Sequence, residues 1–242
     1  MSISNARTAL VTGSSRGIGR ACALALAKAG AKVVLHGAAA SPALAEAAAL
    51  AGGNAVCEVA DFSRLDEVDA LAKRVQPDIL VLNCSVQSYT SLENYSDEEF
   101  FRQMTVNVSA NIHLLRAVLP GMRQRKWGRI IFISSMNAAF PVGRLALYGA
   151  TKAAMENIIS SAAREEAKYG ITANTVIPGV IATDRNVKAL SDEAFAAGLL
   201  SQIPAGRFGT PEDCAVPVLM LASEEAAYIS GARIPVAGGW KI

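Results

Sequence analysis

The stretch TALVTGSSRGIG, residues 8–19, decides the fold. Its first five residues are an apolar, β-branched run, its glycines are spaced G-x-x-x-G-x-G, and an Ala- and Leu-rich stretch follows. A strand that runs through a Gly-rich turn into a helix is the arrangement that receives a pyrophosphate. The N–H groups of the first helical turn point at the anion, and the helix dipole favours its charge. Gly13 then permits the tight turn, Gly17 lets a ligand approach the backbone, and Gly19 lets the helix pack closely on the sheet. A Gly-rich turn with no ligand is the alternative reading of the same residues.

Outward from this stretch, further short apolar runs read as strands buried on both faces: KVVLH (32–36), AVCEV (55–59), DILVLN (78–83), GRIIFIS (128–134) and TANTVI (172–177). Helical stretches lie between them at about 17–29, 43–51, 65–74, 97–124 and 148–169. Strict alternation implies right-handed crossovers and a parallel sheet covered on both sides. The helices stop at glycines before the next strand, as in KAGAK (28–32) and KYGIT (168–172). No linker or repeat divides the chain, so residues 1–242 are expected to form one domain. Residues from about 184 to 209 lack strand character. They carry their own helical pattern, ALSDEAFAAGLLSQI, opened by Ser191, which reads as an insertion serving as a substrate lid.

Composition narrows the function classes. Of 242 residues, 52% are apolar and 18% charged, which suits a packed core rather than disorder. The net charge of +2 comes from interspersed signs, so neither nucleic acid nor a membrane is the expected partner. The basic stretch from Arg123 to Arg129 sits where a helix ends and complements its dipole. Cys22, Cys57, Cys84 and Cys214 form no CxxC pair, and His36 and His113 have no ligand cluster around them, so no metal site is expected. No GxSxG elbow points to a hydrolase. Reduced cysteines, no leader and no long apolar run lead to a cytoplasmic expectation.

A second constellation lies in the later half. The run RIIFIS delivers Ser134 and Ser135 at the C-terminal end of a strand, and Tyr148 and Lys152 follow in YGATK at the start of a helix. A spacing of four puts Tyr148 and Lys152 on one helical face. A free tyrosine, with a pKa of about 10, is a poor base near neutrality, and a nearby ammonium favours its phenolate. Successive residues of a strand alternate faces, so only one of the two serines can point at this pair.

With TGSSRGIG and YGATK in place, the sequence resembles the short-chain dehydrogenase/reductase family, whose usual turn is TGxxxGxG. The resemblance covers nearly the whole chain and lies nearest the branch of 3-oxoacyl-carrier-protein reductases and small sugar or alcohol dehydrogenases. It implies an α/β fold, a single Rossmann-type doubly wound parallel sheet of about seven strands with helices on both faces. It also implies hydride transfer between a nicotinamide dinucleotide and a small-molecule carbonyl or alcohol carbon. Tyr148 would act as acid/base, helped by Lys152, by Ser135 on the substrate oxygen, and by Asn107, which would order a water behind Lys152. Lys152 would also hold the nicotinamide ribose. The cofactor would be held by Gly13, Ser15, Arg16, Gly17, Ile18 and Gly19 in the turn and by Glu58 and Val59 at the adenine. Asn83, Cys84, Tyr148, Pro178, Gly179, Ile181 and Thr183 complete the set. The family's Asn-Ala-Gly is Asn83-Cys84-Ser85 here, its Gly replaced by a residue that tolerates positive φ less well. The family implies a homotetramer, with the C-terminal Gly238-Gly239-Trp240 meeting a neighbouring subunit.

Enzymes of this kind that prefer NAD place an acid at the end of the second strand, against the ribose 2′-hydroxyl. Here that position reads Leu35-His36-Gly37-Ala38, and Arg16 can face the same pocket, so NADP(H) is favoured over NAD(H). Three alternatives stay open: an NAD-dependent sugar or alcohol dehydrogenase, an epimerase or dehydratase that keeps its cofactor, and a non-catalytic sensor of nicotinamide redox state. A substrate pocket would be lined by Val86, Gln87, Met136, Asn137, Phe140, Val142 and the insertion after Thr183, with Arg144 and Arg185 as candidate anion clamps.

Overall fold

Each apolar run forms a strand in the computed structural model, which describes residues 3–4, 6–53, 55–184, 186–187 and 191–241. These strands are β1 (Thr8–Val11), β2 (Lys32–Gly37), β3 (Ala55–Val59), β4 (Ile79–Leu82), β5 (Gly128–Ile133) and β6 (Ile171–Pro178). A seventh, β7 (Arg233–Val236), comes from the short run RIPV near the C-terminus. All neighbours pair in parallel, in the order β3-β2-β1-β4-β5-β6-β7. The order reverses between β1 and β4. Crossovers to either side leave opposite faces there, which opens a crevice beyond the strand C-termini.

Every residue of β4, β5 and β6 is buried, as the unbroken apolar runs require of strands covered on both faces. Alternate residues divide the core in two. Val11, Val81 and Ile131 pack towards α1 (Gly17–Lys28), α2 (Pro42–Ala51) and the last helix, α8 (Pro211–Ala222). Leu10, Leu80, Leu82 and Phe132 pack towards α3 (Leu65–Val75), α5 (Ala110–Arg125) and α6 (Ala146–Glu166).

The helix expected at 97–124 is interrupted. It runs as α4 (Asp97–Met104), one wide π turn over Thr105–Ser109, and then α5. Ala110 N–H donates to Thr105 O across the wide turn, and such turns gather at functional positions. This one carries Asn107.

The segment after β6 returns to its own base. Ile181 and Gly209 form an isolated parallel bridge, with Ala182 N–H donating to Gly209 O and Gly209 N–H to Val180 O. Between them, α7 (Glu193–Leu200) is capped by Asp192, whose carboxylate accepts from Phe195 N–H, so the helix opens one residue later than Ser191. Helix α8 starts with a capping box, Thr210 and Asp213 satisfying each other's backbone N–H, and with Pro211 in the first turn. No helix among the described residues is long and apolar enough to cross a membrane, and no group of three potential metal ligands occurs among them.

The central strands set the stability. Leu80 is fully buried in β4. Leu80→Ala is expected to lower unfolding free energy by about 2–5 kcal/mol through lost contacts and the cavity left behind, read as a lower urea midpoint at an unchanged slope. An unaltered midpoint would contradict the assignment of this residue to the core.

Candidate active site

The Gly-rich turn is held from behind by three side chains. Thr12 Oγ donates to Val81 O and accepts from the N–H groups of Asn83 and Cys84, at 2.9 and 3.0 Å. Asn83 Nδ2 donates to Thr12 O (2.9 Å) and Gly13 O (3.0 Å), so this residue braces the turn as well as lining the crevice. His36, fully buried near the end of β2, accepts the Gly13 N–H at Nδ1 (3.0 Å) and donates from Nε2 to Ala60 O (2.9 Å). Its backbone N–H donates to Ser14 Oγ, and its carbonyl accepts from Ser14 N–H. Sequence reading saw in His36 the absence of an acid and a histidine with no ligand cluster around it. Its contacts come from β1 and the loop after β3, which are far away in the chain.

Two glycines of the turn have left-handed backbones, Gly13 at φ 64 and Gly17 at φ 55. Gly19 is required by proximity, since a Cβ there would stand 2.3 Å from Gly13 O. The first N–H groups of α1, on Gly17, Ile18 and Gly19, have no helical acceptor, and Gly17 and Ile18 line the crevice. Arg16 is exposed at the N-cap, lines the same crevice and has no ion-pair partner among the described residues. Beyond β2, Ala38 and Ala39 are exposed and neither is acidic.

On the adjoining edge strand, Glu58 accepts two hydrogen bonds from Arg74 of α3, which occupies its carboxylate, and Val59 is exposed. In the turn before α3, Asp61 accepts from Ser63 N–H and Oγ, and Glu67 reaches back to Asp61 N–H. The Asn83-Cys84-Ser85 loop contains no positive φ, so the backbone here does not need the glycine that the family has.

The second constellation comes together at the end of β5. Both serines line the crevice, but Ser134 is buried and its hydroxyl donates to Glu156, whereas Ser135 is half-buried and its Oγ accepts from Asn137 N–H at 3.2 Å. Tyr148 (7% exposed) and Lys152 (3%) line the same crevice from α6. Lys152 Nζ donates to Ile133 O at 2.8 Å and lies 5.6 Å from the Tyr148 ring centre. Helix α6 and the turn after Ser135 come this close because residue 149 is glycine: a Cβ there would meet Asn137 O at 2.7 Å. Asn107 stands behind them. Its Oδ1 accepts from Val86 N–H, and its Nδ2 donates to Val86 O and to Thr151 Oγ, tying the loop after β4 to α6.

One cavity of about 340 Å3 joins the two ends. Among residues expected from sequence it is lined by Arg16, Gly17, Ile18, Asn83, Ser135, Tyr148, Lys152, Pro178, Gly179, Ile181 and Thr183. Gly13, Ser15, Gly19, Cys84 and Asn107 lie in or behind the supporting loops, and Glu58 and Val59 lie on β3, outside the cavity lining. Of the expected substrate side, Gln87, Met136, Asn137 and Val142 line the cavity, and Val86 and Phe140 do not. Arg144 is not itself in the lining and donates to the carbonyl of Tyr89, and Arg185 lies outside the described residues. Phe195 and Leu199 line the cavity from the insertion after Thr183, as expected, whereas Tyr89, Leu145 and Trp240 were not anticipated from the sequence. Trp240 is brought in because Gly179 lets the C-terminal segment approach: a Cβ there would meet Ala237 Cα at 2.9 Å. His113 pairs with Asp69 between α5 and α3, remote from the cavity.

Comparison with known proteins agrees with this geometry. A family model described as enoyl-(acyl carrier protein) reductase matches residues 13–241. The chain is 41% identical over 239 residues to the 3-oxoacyl-acyl-carrier-protein reductase FabG of Escherichia coli (strain K12), covering 96% of each. It superposes with a TM-score of 0.91 and 37% identity on a 3-oxoacyl-acyl-carrier-protein reductase from Agrobacterium tumefaciens with NADP bound, covering 97% and 94% of the two chains. A candidate NAD(P)-dependent gluconate 5-dehydrogenase from Beutenbergia cavernae, with NADP bound at low occupancy, matches with a TM-score of 0.94 and 34% identity over 99% and 98%.

Burial holds the His36 imidazole down at about 4 from its ordinary 6.5, against the smaller opposing pulls of the Ala60 carbonyl and Glu58. Between those pH values the unfolded chain binds a proton that the folded chain refuses. Stability is therefore expected to fall as pH drops from about 6.5 through about 4, by up to about 3 kcal/mol from this residue. Unfolding free energies measured near pH 7 and at about pH 4.5 should show a smaller loss for His36→Asn than for the unaltered protein. Equal losses would contradict the assignment.

Proposed function

The chain belongs to the short-chain dehydrogenase/reductase family of oxidoreductases, and from that premise we propose that it reduces a ketone or aldehyde carbonyl with NADPH, or oxidises the corresponding alcohol with NADP. The observation that carries this reading is the shared cavity: Tyr148, Lys152 and Ser135 face the same crevice as the Gly-rich turn. The residues suit a dinucleotide. Gly17 and Thr183 face each other with only contact distance to spare for an added Cβ, 3.5 Å, and Arg16, which has no ion-pair partner among the described residues, lines the same crevice.

The bound cofactor supplies the hydride. Tyr148 gives its phenolic proton to the carbonyl oxygen as charge develops there, and takes it back in the oxidative direction. Lys152, fixed by Ile133 O, stabilises the phenolate that Tyr148 becomes, since its ammonium favours the charged form. Ser135 donates to the substrate oxygen and steadies the same charge. Asn107 acts one step removed, holding α6 and the loop after β4 in register behind Lys152. Residues 184–209 serve as the substrate lid, Phe195 and Leu199 of α7 closing one side of the cavity. The chain works as one domain in a cytoplasmic homotetramer. Phe101 and Ile112, exposed on α4 and α5, would be covered in that assembly.

Tyr148→Phe is expected to lower kcat by at least roughly 100-fold while leaving NADPH affinity near that of the unaltered protein, checked by NADPH consumption and fluorescence titration. Retained turnover would sink the mechanism. In separate titrations NADPH should bind more tightly than NADH. Arg16→Ala should narrow that preference by about tenfold, the size of one lost charge-assisted bond. Tighter NADH binding by the unaltered protein would favour the NAD-dependent alternative.

A further inference from the structure

We propose that His36 is a positioning residue for cofactor binding, a buried strut that holds the pyrophosphate turn and the adenine loop at a set separation. The inference rests on the dinucleotide reading of the crevice and goes beyond it, because His36 itself is fully buried and lies outside the cavity lining.

The argument comes from what the ring touches. Nδ1 accepts the N–H of Gly13, the residue that opens the Gly-rich turn with a left-handed backbone. Nε2 donates to the carbonyl of Ala60, which directly follows β3 at the adenine end. Because Nδ1 is an acceptor, the proton must sit on Nε2, and one tautomer of the neutral ring satisfies both partners. An imidazole is rigid, so its two nitrogens hold the two loops at a separation that no flexible side chain would maintain. Phe62 packs on the ring, 4.4 Å between centres, and prevents it from swinging aside. Asn83 braces the same turn through Gly13 O, so the peptide groups on both sides of Gly13 are fixed by side chains from different strands. A turn held in this way presents its outward N–H groups without rearrangement when the anion arrives, which is where preorganisation strengthens binding.

If His36 only filled space, phenylalanine would replace it without loss of affinity. Three variants separate the roles. His36→Phe keeps the ring over Phe62 and removes both bonds. His36→Asn places an amide oxygen near the Nδ1 position and restores the Gly13 bond. His36→Gln reaches towards Ala60 and leaves Gly13 unpaired. NADPH dissociation constants from cofactor fluorescence, kcat at saturating NADPH and thermal midpoints are measured for each, with Leu80→Ala as a control that is destabilised in β4, outside the turn and the adenine loop. The expected result is a dissociation constant raised roughly tenfold or more in the Phe and Gln variants and within about threefold of native in Asn, at unchanged saturating kcat. Native affinity in the Phe variant would overturn the inference, as would equal weakening of Asn and Phe, or a like weakening in Leu80→Ala. If the Phe variant does not fold, the contrast between Asn and Gln decides. Failure of the unaltered protein to bind NADPH would overturn the dinucleotide reading itself and would show before any variant is compared.

Discussion

A turn that offers its N–H groups outward to an anion must have its other polar groups paired from within, and this constraint organises the nucleotide half of the molecule. The carbonyls of Thr12 and Gly13 are taken by Asn83, the N–H of Gly13 by His36, and the Thr12 hydroxyl serves Asn83, Cys84 and Val81 at once. Buried polar groups left unpaired would cost more than the bonds themselves contribute. The side chains that satisfy them come from β2 and from the end of β4, the two strands that flank β1 in the sheet. Parallel pairing at the point where strand order reverses is thus what makes the turn a rigid site rather than a loose loop.

The other half depends on how α6 is attached to β5. Tyr148, Lys152 and Glu156 lie four residues apart along one face. Lys152 bonds Ile133 O, Glu156 accepts from Ser134, and Arg233 of β7 pairs with Glu156 from the far side. Gly149 removes the side chain that would otherwise push the helix away from the turn after Ser135. The contacts that set Tyr148 against Ser135 are therefore mostly made by residues that do no chemistry. The buried carboxylate of Glu156 is tolerated because a hydroxyl and a guanidinium both serve it.

The structure also explains why some features were legible and others not. Strands that must be buried on both faces leave unbroken apolar runs, so β1 to β6 could be located from sequence to within about two residues, while the short RIPV of β7 carries too weak a signal. Helix ends were less visible where the cap depended on details of geometry, as with Asp192 rather than Ser191 before α7. The wide turn at Thr105–Ser109 left no trace, because an extra residue in one turn alters hydrogen bonding without altering the apolar pattern.

By itself the sequence determined the alternation of strand and helix, the glycines of the turn, and the pairing of Tyr148 with Lys152 on one helical face. These are local matters, decided by backbone freedom and by the periods of strand and helix. Only the tertiary structure decided that the Ser134 hydroxyl is engaged by Glu156, that Glu58 is engaged by Arg74, and that Trp240 reaches the substrate side. It alone revealed His36 as a strut between Gly13 and Ala60. Each of these depends on partners tens of residues away, brought together by packing whose geometry no local pattern records.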